Sequence, residues 1–297
     1  AQLFIGKEGS GTLPMAIAYA QFLLSHFSDN PEASELKVSK LQHPDLHFAF
    51  PVTTNDSVKK HPVSNLFLQE WREFIENHPY GSLFNWLRFI GVENKQGLIG
   101  VDEALEVVKK LQLKSYEGGF KVMIIWMAEK MNIAASNKLL KLIEEPPAKT
   151  IFLLITENED QIINTIKSRC QALHFPVLSE QDIANALIQR EQASENDALK
   201  IAHQAEGNFN KALHLLHQDS SDIVFEKWFI TWIRSAFKAK GNAAVIQELV
   251  AWSETIAKTG RETQKQFLEY CLQFFRQALL LNYKSPDLVF LETQTPK

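Results

Sequence analysis

Apolar residues follow two rhythms along this chain, and the change comes near Pro176. Leu3-Phe4-Ile5, Val122 to Met127 and Ile151 to Thr156 are short, continuous apolar runs flanked by helical patterns, which reads as buried parallel strands. Helical spacing fills the gaps, over Pro14 to Leu24, Val101 to Leu113 and Asn132 to Glu145. In the last of these, Ala135, Leu139, Leu140 and Ile143 share a face, and Pro146-Pro147 stops the helix. Pro14 suits a first helical turn, where its missing donor costs nothing, and Gly118-Gly119 turns one helix into the next strand. Strands alternating with helices predict a three-layer α/β domain over residues 1–176.

After Pro176 the pattern is helical throughout. Glu180 to Arg190, Glu195 to Ala205 and Asn210 to Leu216 predict a small bundle over 177–218. From 219 to 297 the helices are longer. Phe225, Trp228, Phe229, Trp232, Ile233 and Phe237 fall at three- and four-residue steps, Val245, Leu249, Trp252 and Ile256 repeat them, and a third run spans Phe267 to Leu281. Such stripes read as bundle core rather than as a platform for stacked bases. One segment breaks the α/β order: Pro51 to Gly97 holds two aromatic-rich helical patterns, Asn65 to Asn77 and Leu83 to Ile90. It is an insertion that either packs its own aromatics or offers a docking surface.

A length of 297 residues suits two domains or three small ones at about 150 residues each. Two cysteines, Cys170 and Cys271, are too few for a disulfide framework or a four-cysteine zinc site, so a reducing, cytoplasmic setting is expected. No apolar run has the length of a membrane span, and the first residues lack the order of a signal peptide. The first strand has almost nothing before it, which leaves room for a natural segment ahead. With 31 Lys+Arg against 35 Asp+Glu, the net charge of -4 repels phosphate, so nucleic acid could be met only by a local basic face. Lys109, Lys110, Lys114 and Lys121 form a candidate cluster, which reads more simply as a solvated face.

A glycine-punctuated loop joins the first strand to the first helix. In the phosphate-binding form G-x-x-x-x-G-K-[ST], backbone amides surround phosphates, the lysine neutralises them and the hydroxyl holds magnesium. Here the frame runs Gly6-Lys7-Glu8-Gly9-Ser10-Gly11-Thr12-Leu13. Thr12 stands at the lysine position and Leu13 at that of the magnesium ligand, while Glu8 adds charge of the wrong sign. The strand that should end in acidic residues ends in Trp126 and Met127, which can neither accept a proton nor position a cation. Glu129, two residues on, reads as a solvated helix-start residue.

The ordered set GKEGSG, His43-Pro44-Asp45-Leu46, Glu117 to Val122, Asn137 to Pro147 with its Glu144-Glu145-Pro146-Pro147, and Ser168-Arg169-Cys170 resembles the bacterial DNA polymerase III clamp-loader subunits of the AAA+ class. The likeness covers roughly residues 1 to 24, 41 to 50 and 99 to 216. It implies an AAA+ α/β domain over 1–176, with 51–97 inserted, a small helical lid over 177–218 and an all-α C-terminal collar over 219–297, short for the family. It also implies a non-catalytic stator, because the ATP-hydrolysing gamma/tau members keep the lysine and acidic residues missing here. On this resemblance Arg169 is an arginine finger aimed at ATP held by a neighbouring subunit, with Ser168 and Cys170 shaping its loop; the alternative is an arginine paired with a carboxylate of its own chain. The family's arginine in a glycine-x-x-arginine setting falls at Asn210, and Lys211 lies one residue, about 100°, around the helix. Thr156 keeps the sensor position. Partners implied are the gamma/tau ATPase subunits and the delta subunit, with the sliding clamp and primed DNA behind them. No cofactor or metal is expected: Ser25 to Gln42 holds no cysteine, and Pro44 makes His43 and His47 a loop with solvated imidazoles. The rivals are an active gamma/tau-like ATPase and a free-standing nucleic-acid-binding protein.

Overall fold

The computed structural model describes residues 1–116, 119–217, 220–240 and 242–283, and within these leaves out the side chains of 220–223 and 262. Glu117, Gly118 and Asp219, on which the sequence reading placed a turn and a boundary, lie outside the described residues. Two compact units result, the first Ala1–Val92, Gln96–Ser179 and Gly207–Asn210, the second Glu93–Lys95, Glu180–Glu206 and Lys211–Lys297.

The first unit runs β1 (Gln2–Gly6), α1 (Thr12–His26), α2 (Pro31–Ser39), β2 (Leu46–Ala49), a 3-10 turn at Ser64–Phe67, α3 (Leu68–Asn77), α4 (Leu83–Phe89), α5 (Val101–Gln112), β3 (Lys121–Ile125), α6 (Ile133–Glu144), β4 (Thr150–Thr156), α7 (Asn164–Lys167) and β5 (Gln171–Phe175). Its five strands form one parallel sheet in the order β2-β3-β4-β1-β5. Successive residues of a strand face opposite sides, and the core divides accordingly. Val122 and Ile124 of β3 join Leu153 and Ile155 of β4 on one face, under α1 and the inserted helices. Met123, Ile125, Phe152 and Leu154 line the other face, under α5 and α6. Three layers follow from that alternation.

The insertion belongs to the first of these cores. Phe67, Trp71, Phe74, Trp86 and Leu87 are buried in the same cluster as the strand residues. Trp71 stacks on Phe50, ring centroids 4.1 Å apart, and meets Trp86 edge-on at 5.2 Å. The Trp86 indole N–H donates to the Pro51 carbonyl at 2.8 Å, which closes the insertion onto its own root.

The second unit is helical: α8 (Glu180–Glu191), α9 (Glu195–Ala205), α10 (Phe209–His217, its first residues in the first unit), α11 (Ser220–Lys238), α12 (Ala243–Ala257) and α13 (Arg261–Asn282). Ile183, Leu187, Ala198 and Ala202 are buried in α8 and α9. Phe225, Phe229, Phe267 and Cys271 make the core of the long helices, with Trp232 stacked on Trp252 at 5.7 Å. The aromatic stripe ends sooner than its spacing predicts: Phe237 is 85 % exposed and stands outside the cluster that Phe225, Phe229 and Trp232 join. Among the described residues no helix is long and apolar enough to cross a membrane.

Candidate functional site

The loop after β1 depends on its glycines. Gly9 and Gly11 have φ of +72° and +85°, a region that L side chains rarely adopt, and a Cβ on Gly9 would lie 2.0 Å from the Asn208 side-chain oxygen. Ser10 N–H donates to the Lys7 carbonyl at 3.1 Å and Met15 N–H to that of Gly11 at 3.0 Å, so loop and helix are continuous. Thr12 opens α1 half-buried, whereas Leu13 points into the hydrophobic core. The loop, Pro79-Tyr80-Gly81, Trp126, Met127, Ile155 and Glu157 enclose a cavity of about 20 Å³. That is room for about one water.

Glu8 is held by amides. Its Oε1 accepts from Asn210 Nδ2 at 2.9 Å and from Asn208 Nδ2 at 3.3 Å, and buried Asn210 also donates to Asn85 Oδ1 at 2.9 Å. The position expected to carry the family's arginine is therefore brought onto the phosphate loop, as an amide satisfying the loop's own carboxylate. Sequence spacing shows Glu8 as a charge of the wrong sign but gives no hint of partners some 200 residues on.

Two strands away from β1 across the sheet, β3 stops at Ile125, two residues earlier than its apolar run predicts. Trp126 and Met127 are both buried in the core, Met127 at φ +54°, and the Trp126 ring lies 5.1 Å from that of Trp71. Glu129 corrects the sequence reading. It is not a solvated helix start: its Oε1 accepts from Glu157 N–H at 3.3 Å, and its Oε2 is buried. Burial pushes its carboxyl above the ordinary range, against hydrogen bonds from its own backbone, the Thr156 hydroxyl and Glu157. Thr156, fully buried, accepts from Asn158 N–H at 3.2 Å, which closes the turn after β4, while the Glu129 to Glu157 contact joins the two strand ends.

Arg169 sits in the short connection between α7 and β5. Its guanidinium meets Glu144, at the end of α6, with Nε 3.0 Å from Oε2 and Nη2 3.2 Å from Oε1, and Nη1 donates to the Thr165 carbonyl at 2.9 Å. This is the own-chain carboxylate pairing weighed against the finger. The pair remains at the surface, with the Arg169 side chain 33 % and that of Glu144 52 % exposed. Ser168 Oγ lies 3.4 Å from Nη1 and donates to the Thr165 carbonyl. Cys170 is half-buried, its thiol pushed up by burial, which makes it a weak nucleophile.

Two further expectations change. The imidazoles of His43 and His47 are not solvated: His43 is 3 % exposed with Nδ1 accepting from Asp45 N–H, and burial lowers His47 to about 4. Leu46–Ala49 is a strand, so Pro44 breaks a helix and starts β2. The lysine cluster is not one solvated face either. Lys121 is buried with its ammonium on the Leu111 and Leu113 carbonyls at 2.6 and 2.7 Å, closing the C-terminus of α5, and Lys110 is half-buried.

Five parallel strands with a glycine loop leading from the inner strand β1 into α1 define an α/β protein of the phosphate-loop, AAA+ type. The chain belongs to the family described as "DNA polymerase III, delta subunit", whose model matches residues 1–179. It is 36% identical over 129 residues to DNA polymerase III subunit delta' of Escherichia coli (strain K12), a match covering 43% of this chain and 38% of that one. It is 38% identical over 124 residues to DNA polymerase III subunit tau of Bacillus subtilis (strain 168), covering 40% and 22%. Each match thus spans less than half of the curated relative. Among solved structures, a gamma subunit-related protein of Thermotoga maritima aligns over 77% of this chain and 57% of its own, at 16% identity and a TM-score of 0.38.

Proposed function

We propose that this chain is the delta-prime subunit of a bacterial DNA polymerase III clamp loader, a stator that hydrolyses no nucleotide itself and presents Arg169 to ATP held by a neighbouring gamma/tau subunit. The observation that carries the reading is the state of the phosphate loop. Leu13, Trp126 and Met127 are core residues, and Glu8 is tied to Asn208 and Asn210 where an ATPase needs cations and open space. Small-molecule sites have volumes of roughly 300 Å³ or more, against the 20 Å³ left here. Arg169, by contrast, is exposed, and a planar guanidinium suits the spread charge of a transferring phosphoryl.

In this reading 1–176 is the AAA+ domain, 177–218 the lid and 219–297 the collar that joins the other subunits, in the cytoplasm, with the delta subunit, sliding clamp and primed DNA as further partners. DNA contact is shared with the complex and independent of sequence. The deciding experiment reconstitutes the chain with ATPase and delta subunits and compares DNA-stimulated hydrolysis for wild type and Arg169→Ala. Loss of hydrolysis with assembly intact is expected; an unchanged rate removes the finger. ATP hydrolysis by the chain alone would overturn the stator reading and favour the gamma/tau-like one.

A further inference from the structure

A second, larger cavity lies at the other end of the sheet, away from the loop that follows the carboxyl end of β1. It has a volume of about 290 Å³ and is lined by the segment leading into β2, by β2 itself, by the inserted α3 and by Lys110 of α5. At about 30 Å³ per water, it holds roughly ten waters' worth of ligand. No acidic side chain lines it, although the chain as a whole is acidic. Arg72 and Lys110 do, together with His43 and His47.

The two cations are placed differently. Arg72 donates from Nε to the Leu41 carbonyl at 3.0 Å, which anchors the guanidinium at the cavity wall while its Nη donors are left for other partners. Lys110 is half-buried, and burial lowers its pKa against the pull of Glu103 and Glu106. Neither carboxylate lines the cavity: Glu103 accepts the Ser64 amide at Oε2 while its Oε1 is buried without a hydrogen-bond partner, and Glu106 takes the Lys109 ammonium at 3.0 Å. On the His47 side, Asp45 accepts the Tyr116 amide at 2.9 and 3.0 Å. His47 is held down to about 4, first by burial and then by Lys110, with Lys121 and His43 adding to this and Asp45 opposing it. With half-buried Arg72 and Lys110 in its wall and no carboxylate lining it, the cavity favours an anion that enters it.

The backbone adds a donor. β3 donates to the carbonyls of Asp45 and Ala49, so odd-numbered residues of β2 face β3 and even-numbered ones face the outer edge, where Phe50 N–H meets Ser64 Oγ at 2.9 Å. The amide of Phe48, a cavity-lining residue, therefore faces that edge. Phe48 and Leu68 supply an apolar wall beside the charged one. Charge on one side and apolar surface on the other describe a ligand with an anionic head and an organic body.

We propose that this cavity binds a small organic phosphate, its phosphate group between Arg72 and Lys110 and its body against Phe48 and Leu68. Nothing in the stator reading requires the site, and the two stand or fall separately.

The test is calorimetric titration of the full chain with phenyl phosphate, inorganic phosphate and benzoate, for wild type, Arg72→Gln, Lys110→Met and the control Lys138→Met, an exposed lysine of α6 outside the cavity. Saturable one-to-one binding of phenyl phosphate is expected, roughly tenfold or more weaker in Lys110→Met and Arg72→Gln, as for loss of one charge-assisted hydrogen bond, and unchanged in the control. Arg72→Gln can also loosen the Leu41 contact, so Lys110→Met decides. No saturable binding, or binding that Lys110→Met leaves intact, overturns the proposal. Inorganic phosphate binding as tightly as phenyl phosphate overturns the organic body, and benzoate binding as tightly overturns the phosphate head.

Discussion

Arg169 and Glu144 form a forked ion pair that ties the Ser-Arg-Cys triplet to the end of α6, with contacts of 3.0 and 3.2 Å between side chains 25 residues apart. Two parallel N–H to carboxylate bonds are the geometry with which a guanidinium also grips phosphate. The pair lies in water, where such contacts contribute about 0–1 kcal/mol. Glu144 therefore orients Arg169 without holding it strongly, and on the proposed reading a phosphoryl from a neighbouring subunit would replace the carboxylate at small cost.

Glu144→Gln is expected to shift the melting temperature of the chain by less than about 4 °C, the displacement that 1 kcal/mol produces in a protein of this size. In the reconstituted complex it retains DNA-stimulated hydrolysis, whereas Arg169→Ala loses it by about 10³-fold or more. If Glu144→Gln abolished hydrolysis as fully as Arg169→Ala, the pair would be a working unit rather than a resting place. Melting curves and a phosphate-release assay on both variants separate these outcomes.

At the glycine loop, Gly9→Ala is expected to destabilise the chain by about 1–3 kcal/mol. The new Cβ would sit 2.0 Å from Asn208 Oδ1 in a backbone conformation at φ +72°, and the displaced Asn208 would loosen the Glu8 contacts. Supplying the missing chemistry, as Thr12→Lys with Leu13→Thr, is expected to give no measurable ATP binding. The new hydroxyl would enter the core that Leu13 now fills, and Trp126 and Met127 still occupy the acidic positions. Denaturant unfolding and equilibrium dialysis with ATP check the two halves.

What the sequence conveyed divides along burial. β1, β3 and β4 are the inner strands of the sheet, largely buried on both faces, and so read as continuous apolar runs. The two edge strands are missed for the same reason. β5 is Gln171-Ala172-Leu173-His174-Phe175 with its first four residues exposed, and β2 hides behind His43-Pro44-Asp45. Helix α2 escapes because only Ser34 and Val38 are buried in it. At the site, absent chemistry is visible at once in Thr12, Leu13, Trp126 and Met127. What replaces it, Glu8 on Asn210 and Glu129 on the end of β4, depends on contacts between distant residues that no local pattern encodes.

The insertion yields a sharper expectation than its odd position suggested. Trp71 is fully buried and touches Phe50 of the strand region, Trp86 of α4 and Trp126 at the end of β3, the last at 5.1 Å. Trp71→Ala is expected to cost about 3–5 kcal/mol by removing the ring and leaving a cavity at the junction. Deleting 51–97 outright is expected to unfold the first unit, since it strips one face of the sheet of the part of its cover that α1 does not supply. Circular dichroism of the two variants during urea unfolding would detect either loss; a deletion variant that melts cooperatively near the wild-type midpoint would contradict it.

Glu129 gives the chain a specific pH dependence. Burial raises its carboxyl above the ordinary 4.5, so the folded state holds this proton to higher pH than the unfolded state does. A group whose folded form binds more protons than its unfolded form makes stability fall as pH rises through the interval between the two values. The contribution is fully favourable below 4.5 and is lost above it, opposite in sign to the usual salt-bridged carboxylate. Glu129→Gln keeps the shape, lets the amide oxygen accept from Glu157 N–H and the amide nitrogen donate to Thr156, and removes the titration. The variant is therefore expected to gain stability relative to wild type as pH rises from 4 to 8, with the difference levelling off once Glu129 is ionised in both states. Urea midpoints of the two proteins across that range measure it directly, and a difference that stays constant with pH would mean that Glu129 is ionised and adequately solvated in the folded chain.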